Sequence, residues 1–218
     1  HFEEYTDIVG DHPLNLAATT LVVNAFMATG DSKYCDWLIE YVDAWSQRAA
    51  DNGNILASNI GLDGTIGGET DGEWYGGCYG WDFTVTVPQT GQKAHRNSIY
   101  RGIAGFGNAL LLTGNQSYVD VWRKMLDAVN GNAKLSDGKT VYPHMYGEDG
   151  WYAYSFTPYN EGALDIYYWS MDKADRERVP QERVAASLTA AKASGSKSST
   201  VDGWLAFLEG QDPDYPEK

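Results

Sequence analysis

The chain has 218 residues and a formal net charge of −14, with 30 acidic and 16 basic side chains. This length allows one substantial core or part of a larger repeat protein. The chain has no basic stripe that could neutralise the phosphates of a nucleic acid. A helix needs about 20 consecutive apolar residues to span a bilayer, and no apolar run approaches that length. We therefore expect neither a nucleic acid nor a membrane as a partner.

The first predicted elements, in chain order, form a helical hairpin. Residues 13–28 are apolar nearly all round, which is typical of an inner helix buried on several sides. Residues 33–51 carry one apolar stripe and an opposite polar face, which is typical of an outer helix. A long Gly-rich passage, 52–95, follows, with one possible short strand at 83–87.

A second hairpin repeats the first. Residues 24–36 recur as 108–120, so that Asn, Ala, Thr-Gly, Tyr and Asp return at one constant offset. The second inner helix is predicted at 97–112 and the second outer helix at 116–130. Internal repetition of this kind is the signature of a repeat architecture.

The remaining chain suggests a third, shorter hairpin. After a loop at 131–158, an inner helix is predicted at 160–170 and a charged outer segment at 172–179. The Ala/Ser/Lys-rich stretch 181–199 is predicted to be a flexible surface segment. The sequence therefore predicts an all-α fold.

Connectivity places the long loops together. The tight Thr-Gly turns lie at one end of the hairpins, so both Gly- and aromatic-rich loops must lie at the other end. The starts of the three inner helices, at 11–12, 95–97 and 159–161, open onto that same face. We expect a common opening there.

The inner–outer hairpins, with the segments 54–68 and 74–81, resemble the six-hairpin (α/α) toroid glycosidase superfamily, including its uncharacterised bacterial members. The resemblance implies an (α/α) toroid-type fold, of which about three of six hairpins are present. Residues 1–218 would then be a single toroid-like domain or the N-terminal part of one. The resemblance implies polysaccharide degradation, and we expect a secreted or periplasmic location.

Hydrolysis of a glycosidic bond requires two carboxyl groups, one acting as acid and the other as base or nucleophile. The candidates are Glu73, Asp82 and Glu161. Aromatic rings in the first long loop could stack on sugars, and polar groups at the helix starts could hold an acidic sugar. The candidate substrate-binding residues are Trp74, Tyr75, Trp81, Arg96, Asn97, His12 and Tyr159. The leading hypothesis is a glycoside hydrolase acting on an acidic, uronate-containing carbohydrate.

Two alternatives remain open. A uronate-specific polysaccharide lyase would use a His or Tyr base, for which His95, His144 and Tyr146 are candidates. A non-catalytic glycan-binding or scaffold module would need no such group. We expect no cofactor and no metal, because the pairing of His144 with Glu148 or Asp149 has no specific ligand spacing. The oligomeric state does not follow from the sequence.

Overall fold

The computed structural model describes residues 9–180 and Gly210. The chain divides into two units, residues 1–159 and residues 160–218. The segment 181–199, predicted to be flexible, lies outside the described residues.

Hairpins of α-helices frame the described part of the first unit. Its helices are α1 (Thr19–Thr29), α2 (Ser32–Asp51), α3 (Ile103–Thr113) and α4 (Ser117–Asn130). Short 3₁₀ turns at Pro13–Ala18 and Ile99–Gly102 lead into α1 and α3. The described part of the second unit contains α5 (Ala163–Ser170) and α6 (Lys173–Arg178), which pack against each other. Within these described residues, no helix combines the length and apolar character needed to cross a membrane.

The prediction of an all-α fold is wrong, because the long loops contain β-hairpins. The strands are β1 (Thr84–Thr86) with β2 (Lys93–His95), β3 (Lys134–Ser136) with β4 (Lys139–Val141), and β5 (Met145–Gly147) with β6 (Gly150–Tyr152), each pair antiparallel. Pairing satisfies backbone N–H and C=O groups that a long irregular loop would otherwise leave without partners. The Asp137-Gly138 turn has positive φ at both residues, 50° and 74°, as tight hairpins of this kind require.

All three helical hairpins turn in the same way. Each first helix ends at a left-handed residue, namely Gly30 (φ 68°), Gly114 (φ 69°) or Met171 (φ 53°). The following side chain accepts a hydrogen bond from a backbone N–H of the second helix: Asp31 from Lys33 (3.1 Å), Asn115 from Ser117 (3.0 Å) and Asp172 from Ala174 (2.8 Å). Each turn is thus a left-handed C-terminal cap followed by a side-chain cap, which is the N-cap residue at Asp31 and Asp172 and the residue before the N-cap at Asn115. The three predicted hairpins are therefore confirmed.

The first two hairpins pack side by side. The Tyr118 hydroxyl donates to Asp43 Oδ1 at 2.8 Å, and Asn108 Nδ2 donates to the hydroxyls of Thr19 at 2.8 Å and Thr20 at 3.1 Å. A Cβ on Gly105 would lie 2.6 Å from Leu16 Cδ2, so a larger residue at this position would displace the Leu16 side chain. The hairpins are thus joined by both polar and close apolar contacts.

The core lies between the helices, and one side of α1 is exposed to solvent. On α2 one face is buried, consisting of Leu38, Val42, Trp45 and Ala49. Conversely, Leu21 and Met27 of α1 are 72% and 74% exposed. The prediction that the first inner helix is buried on several sides is therefore wrong on the side that carries Leu21 and Met27.

Asp11 ties the entry of the first hairpin to its outer helix. Its carboxylate accepts hydrogen bonds from the Tyr41 hydroxyl at 2.9 Å and from Trp45 Nε1 at 3.0 Å. Its backbone N–H and C=O pair with those of Ile60, both at 2.7 Å. One residue therefore holds α2 and the start of the first long loop together.

Asp11→Ala is expected to lower the free energy of unfolding by about 3 kcal/mol, because it leaves the buried Trp45 indole N–H without an acceptor. Asp11→Asn, which keeps a side-chain oxygen, should lose less than half of that. Urea denaturation followed by Trp fluorescence measures both variants. Equal losses would show that the oxygen is not the important group.

Candidate functional site

The two long loops lie against each other in the first unit. The backbone N–H of Tyr146, in the second loop, donates to the carbonyl of Trp81 in the first loop at 3.2 Å. The Trp74 and Tyr146 ring centroids are 4.6 Å apart. The starts of the first two inner helices also lie together, because a Cβ on Gly102 would be 3.2 Å from both Pro13 Cβ and Leu16 Cδ1. The predicted meeting of loops is confirmed within this unit.

Trp81 is the anchor of this loop assembly. It is 0% exposed, and its Nε1 donates to the Leu56 carbonyl at 2.8 Å. Its backbone N–H donates to Ser58 Oγ at 2.9 Å, and the Ser58 hydroxyl donates to the Tyr75 carbonyl at 2.9 Å. A ring buried in this way cannot stack on a sugar. The role predicted for Trp81 in substrate binding is therefore replaced by a structural one.

Half-buried aromatic side chains cover this anchor and form what we call the aromatic wall: Trp74, Tyr75, Tyr146 and Trp151. The Tyr146 centroid lies 5.2 Å from Tyr75 and 4.9 Å from Trp151. Trp151, which the sequence did not single out, also packs edge-on against Trp81 at 5.8 Å. The wall gives a partly apolar surface at the junction of the two loops.

Carboxylates gather beside the wall. Burial raises the pKa of the Tyr75 hydroxyl to about 12, and the negative charges of Glu73, Glu148 and Asp82 add to the increase. Three carboxylates therefore interact electrostatically with the Tyr75 hydroxyl. Asp82 is half-buried, and its own pKa is raised by burial and by the charge of Glu73. Glu148 lies in the turn between β5 and β6 and was considered only as a metal ligand from the sequence.

A chain of polar contacts continues from Asp82 to His95. The Tyr152 hydroxyl donates to the Asp82 carbonyl at 3.1 Å and lies 3.3 Å from Thr84 Oγ1. Thr84 Oγ1 lies 2.8 Å from His95 Nδ1. Burial, together with the charges of His144 and Lys93, lowers the pKa of His95. His95 is therefore held in the neutral state more strongly than a free imidazole.

Two other predicted residues have structural contacts at the edge of this assembly. His144 Nε2 donates to the Thr157 carbonyl at 3.0 Å, and its ring lies 5.7 Å from that of Tyr159. Tyr159 is buried and exchanges hydrogen bonds with the Asn130 side chain through its backbone. Tyr159 is therefore an internal residue rather than an exposed sugar contact.

The remaining predicted residues are distributed differently. Arg96 is exposed, and its backbone N–H donates to the Phe83 carbonyl at 2.9 Å. Asn97 Oδ1 accepts from the Ile99 N–H at 2.8 Å, whereas its Nδ2 is buried without a hydrogen-bond partner. His12 lies beside Asp11. Burial lowers the pKa of His12 by more than the negative charge of Asp11 raises it. Glu161 belongs to the second unit, where it is exposed.

The site has no evident metal-binding group. Across residues 9–180 and Gly210, no set of three His, Cys, Asp or Glu side chains is arranged to hold a metal ion. The loop junction presents carboxyl groups, hydroxyl groups and imidazoles beside aromatic rings.

Comparison with known proteins identifies a family but no activity. A family model described as "Domain of unknown function (DUF8034)" matches residues 7–142 and 132–218. No curated protein and no solved structure matched the chain.

Proposed function

The chain belongs to the DUF8034 family, and we propose that it is a carbohydrate-active enzyme that hydrolyses glycosidic bonds in an acidic oligo- or polysaccharide. The observation that carries the proposal is the group of carboxylates at the aromatic wall. A glycosidase needs one carboxyl group that holds its proton and another that does not. We assign the first role to Asp82, because its pKa is raised, and the second role to Glu73.

In the proposed mechanism, Asp82 is the general acid. Its raised pKa keeps a larger fraction of this carboxyl protonated than an ordinary Asp would have. It donates the proton to the glycosidic oxygen as the bond from that oxygen to the anomeric carbon breaks. Glu73, which is exposed, supplies the carboxylate that activates water or attacks the anomeric carbon.

The aromatic wall supplies the binding surface. Sugar rings present C–H faces that pack on Trp and Tyr rings, and Trp74, Tyr146 and Trp151 are each partly accessible for this purpose. Arg96 follows strand β2 immediately and is exposed, so its guanidinium is available to a carboxylate on the substrate. This charge supports an acidic rather than a neutral sugar.

One observation favours a uronate lyase as the second candidate. A lyase base must be unprotonated before it removes the proton beside the uronate carboxylate. The lowered pKa of His95 makes it neutral over a wider pH range, and Thr84 fixes its ring at 2.8 Å. His95 therefore suits the role of a base better than Asp82 does.

The reaction products distinguish these functions. The protein is incubated with polygalacturonate, alginate, hyaluronan and chondroitin sulfate, and new reducing ends are measured together with ultraviolet absorbance. We expect reducing ends without the absorbance of a conjugated double bond, because hydrolysis adds water and creates no unsaturation. Reducing ends accompanied by that absorbance would establish the lyase and refute hydrolysis. Binding of one of these polymers without any product would instead indicate a glycan-binding module.

A further inference from the structure

One face of the β3–β4 hairpin carries two lysines and a hydroxyl group. Lys134 pairs across the hairpin with Val141, and Ser136 pairs with Lys139. Cross-strand partners, and residues two apart along a strand, lie on the same face of a hairpin. Lys134, Ser136, Lys139 and Val141 therefore share one face, and Leu135 lies on the other.

This face borders a groove of about 600 Å³. Its lining residues are Lys134, Ser136, Val141, Tyr154, Ser155 and Phe156. The far side is fixed by the pairing of Tyr142 with Ser155, whose backbone hydrogen bonds measure 2.7 and 2.9 Å. None of these residues belongs to the aromatic wall or to the acidic residues beside it. We call this feature the lysine groove after the lysines of the hairpin face.

Lys134 lines the groove and Lys139 lies outside its lining, but the ammonium group of each stands over an aromatic ring that lines it. Lys134 Nζ lies 3.6 Å from the centroid of the Tyr154 ring, and Lys139 Nζ lies 5.5 Å from that of Phe156. Neither lysine forms an ion pair with any residue in the described part of the chain. A cation over a ring keeps its positive charge while losing some of its freedom. In a chain of net charge −14, these two cations are available to an anion from outside.

The groove also offers contacts that suit a sugar. Phe156 is 66% exposed, which leaves ring surface for the C–H face of a pyranose. The hydroxyls of Ser136 and Ser155 line the groove and can exchange hydrogen bonds with sugar hydroxyls. A simple anion would use only the lysines, whereas an acidic sugar can also use Phe156 and the two serine hydroxyls.

We propose that the lysine groove is a binding site for an anionic sugar unit, either a uronate or a sulfated residue. The carboxylate or sulfate binds between Lys134 and Lys139, and the ring of the sugar packs on Phe156. The segment that lines the groove at Ser155 and Phe156 continues into Thr157, whose carbonyl accepts from His144. The groove is therefore built on the same segment that reaches the candidate catalytic loops. This proposal rests on the groove alone and does not depend on the catalytic role of Asp82.

Calorimetric titration in the full-length Asp82→Asn variant tests the proposal while hydrolysis is slowed. The probes are hexagalacturonate, a chondroitin sulfate hexasaccharide, neutral cellohexaose and a hexaglutamate peptide. We expect at least one of the two anionic sugars to bind, and its affinity to fall as salt is raised, because the contact is between charges. Cellohexaose and hexaglutamate should bind at least tenfold more weakly.

Adding Lys134→Ala or Lys139→Ala should weaken binding about tenfold each, which corresponds to loss of one charged contact. Lys124→Ala, at an exposed position on α4, removes the same charge elsewhere and should leave the affinity unchanged. Leu135→Ala, on the opposite face of the hairpin, should also have no effect. The proposal is refuted if neither anionic sugar binds, if the neutral sugar or the peptide binds as tightly, or if both groove variants bind like the parent. Retained binding, together with a failure of the parent protein that carries Asp82 to hydrolyse any of these sugars, would refute the proposed enzyme alone.

Discussion

Asp82→Asn is expected to lower kcat by about 10²–10⁴-fold, the usual contribution of a general acid. Asparagine has almost the same shape as aspartate but cannot donate the proton that the leaving oxygen requires. Burial already disfavours the charged form of Asp82, so the neutral amide should not destabilise the fold. The measurement is the initial rate of reducing-end formation on the substrate identified by product analysis, with unfolding curves for both proteins.

The pH profile gives an independent check of this role. A general acid works while it is protonated, so the rate should fall as pH rises through the pKa of Asp82. Because that pKa is raised, the fall should occur at a higher pH than for an ordinary Asp carboxyl. Glu73→Gln removes a negative charge that helps to raise the pKa of Asp82. In this variant the fall of any residual activity with rising pH should therefore occur at a lower pH.

Asp71→Asn is the matched control. Asp71 is an exposed turn residue of the same loop with φ of 54°, a conformation that Asn adopts readily. This variant should retain kcat within about twofold, since surface substitutions have small effects. A loss at Asp71 comparable to that at Asp82 would show that the loop tolerates no change, and the assignment of Asp82 would fail.

Trp81→Ala is expected to lower the free energy of unfolding by about 3–5 kcal/mol, the range for truncating a large buried aromatic residue. The ring is fully buried, and its Nε1 satisfies the Leu56 carbonyl. The variant removes both the packing volume and the hydrogen bond, so the two long loops lose their common support. Urea denaturation measures the loss, and near-ultraviolet circular dichroism should show reduced signal from the aromatic wall.

Trp37→Ala provides the comparison. Trp37 lies on the outer helix α2, is 47% exposed and stacks on Tyr41 at 5.1 Å. Its removal should cost only about 1 kcal/mol, because much of the ring is already in contact with water. Trp81→Phe should fall between the two variants. If Trp37→Ala and Trp81→Ala were equally destabilising, burial would not be the property that distinguishes these residues.

Helices and their turns were predictable from local signals. The outer helices predicted at 33–51 and 116–130 occur at Ser32–Asp51 and Ser117–Asn130. Apolar periodicity marks their lengths, and a left-handed glycine followed by Asp or Asn marks the turns. Even the third turn, where Met171 takes the place of glycine, keeps the capping Asp172. Each of these signals involves residues within a few positions of one another, so the sequence contains them directly.

The strands were harder than the helices to predict from local sequence signals. A three-residue strand such as β3 is too short to show an alternating pattern, and only the Asp137-Gly138 dipeptide indicates its turn. The predicted strand at 83–87 was confirmed at Thr84–Thr86, where alternation was visible. The first two inner helices were predicted to begin about six residues before regular α-helix does, because 3₁₀ turns share the same apolar character.

Within the site, residue types were easier to predict than burial. The sequence indicates that Trp74 and Trp81 belong to one aromatic loop, yet only the fold distinguishes the half-buried ring from the fully buried one. Glu148 is separated from Glu73 by a whole helical hairpin, so no local pattern reveals that both act on Tyr75. Such long-range proximity depends on how the hairpins pack.

The contacts between the first two helical hairpins have a consequence for inactivation by heat. In side-by-side repeats, stability resides largely in the boundaries between neighbours, and one repeat can open before another. The hydrogen bonds of Asn108 and Tyr118 lie at such a boundary. Asp82 and Glu73 lie in the connector between these two hairpins, whereas Tyr146 and Trp151 of the aromatic wall lie in the connector after the second, so partial melting is sufficient to separate them. The temperature at which turnover ceases is then set by the least stable interface between neighbouring hairpins and not by the unfolding of the last helix.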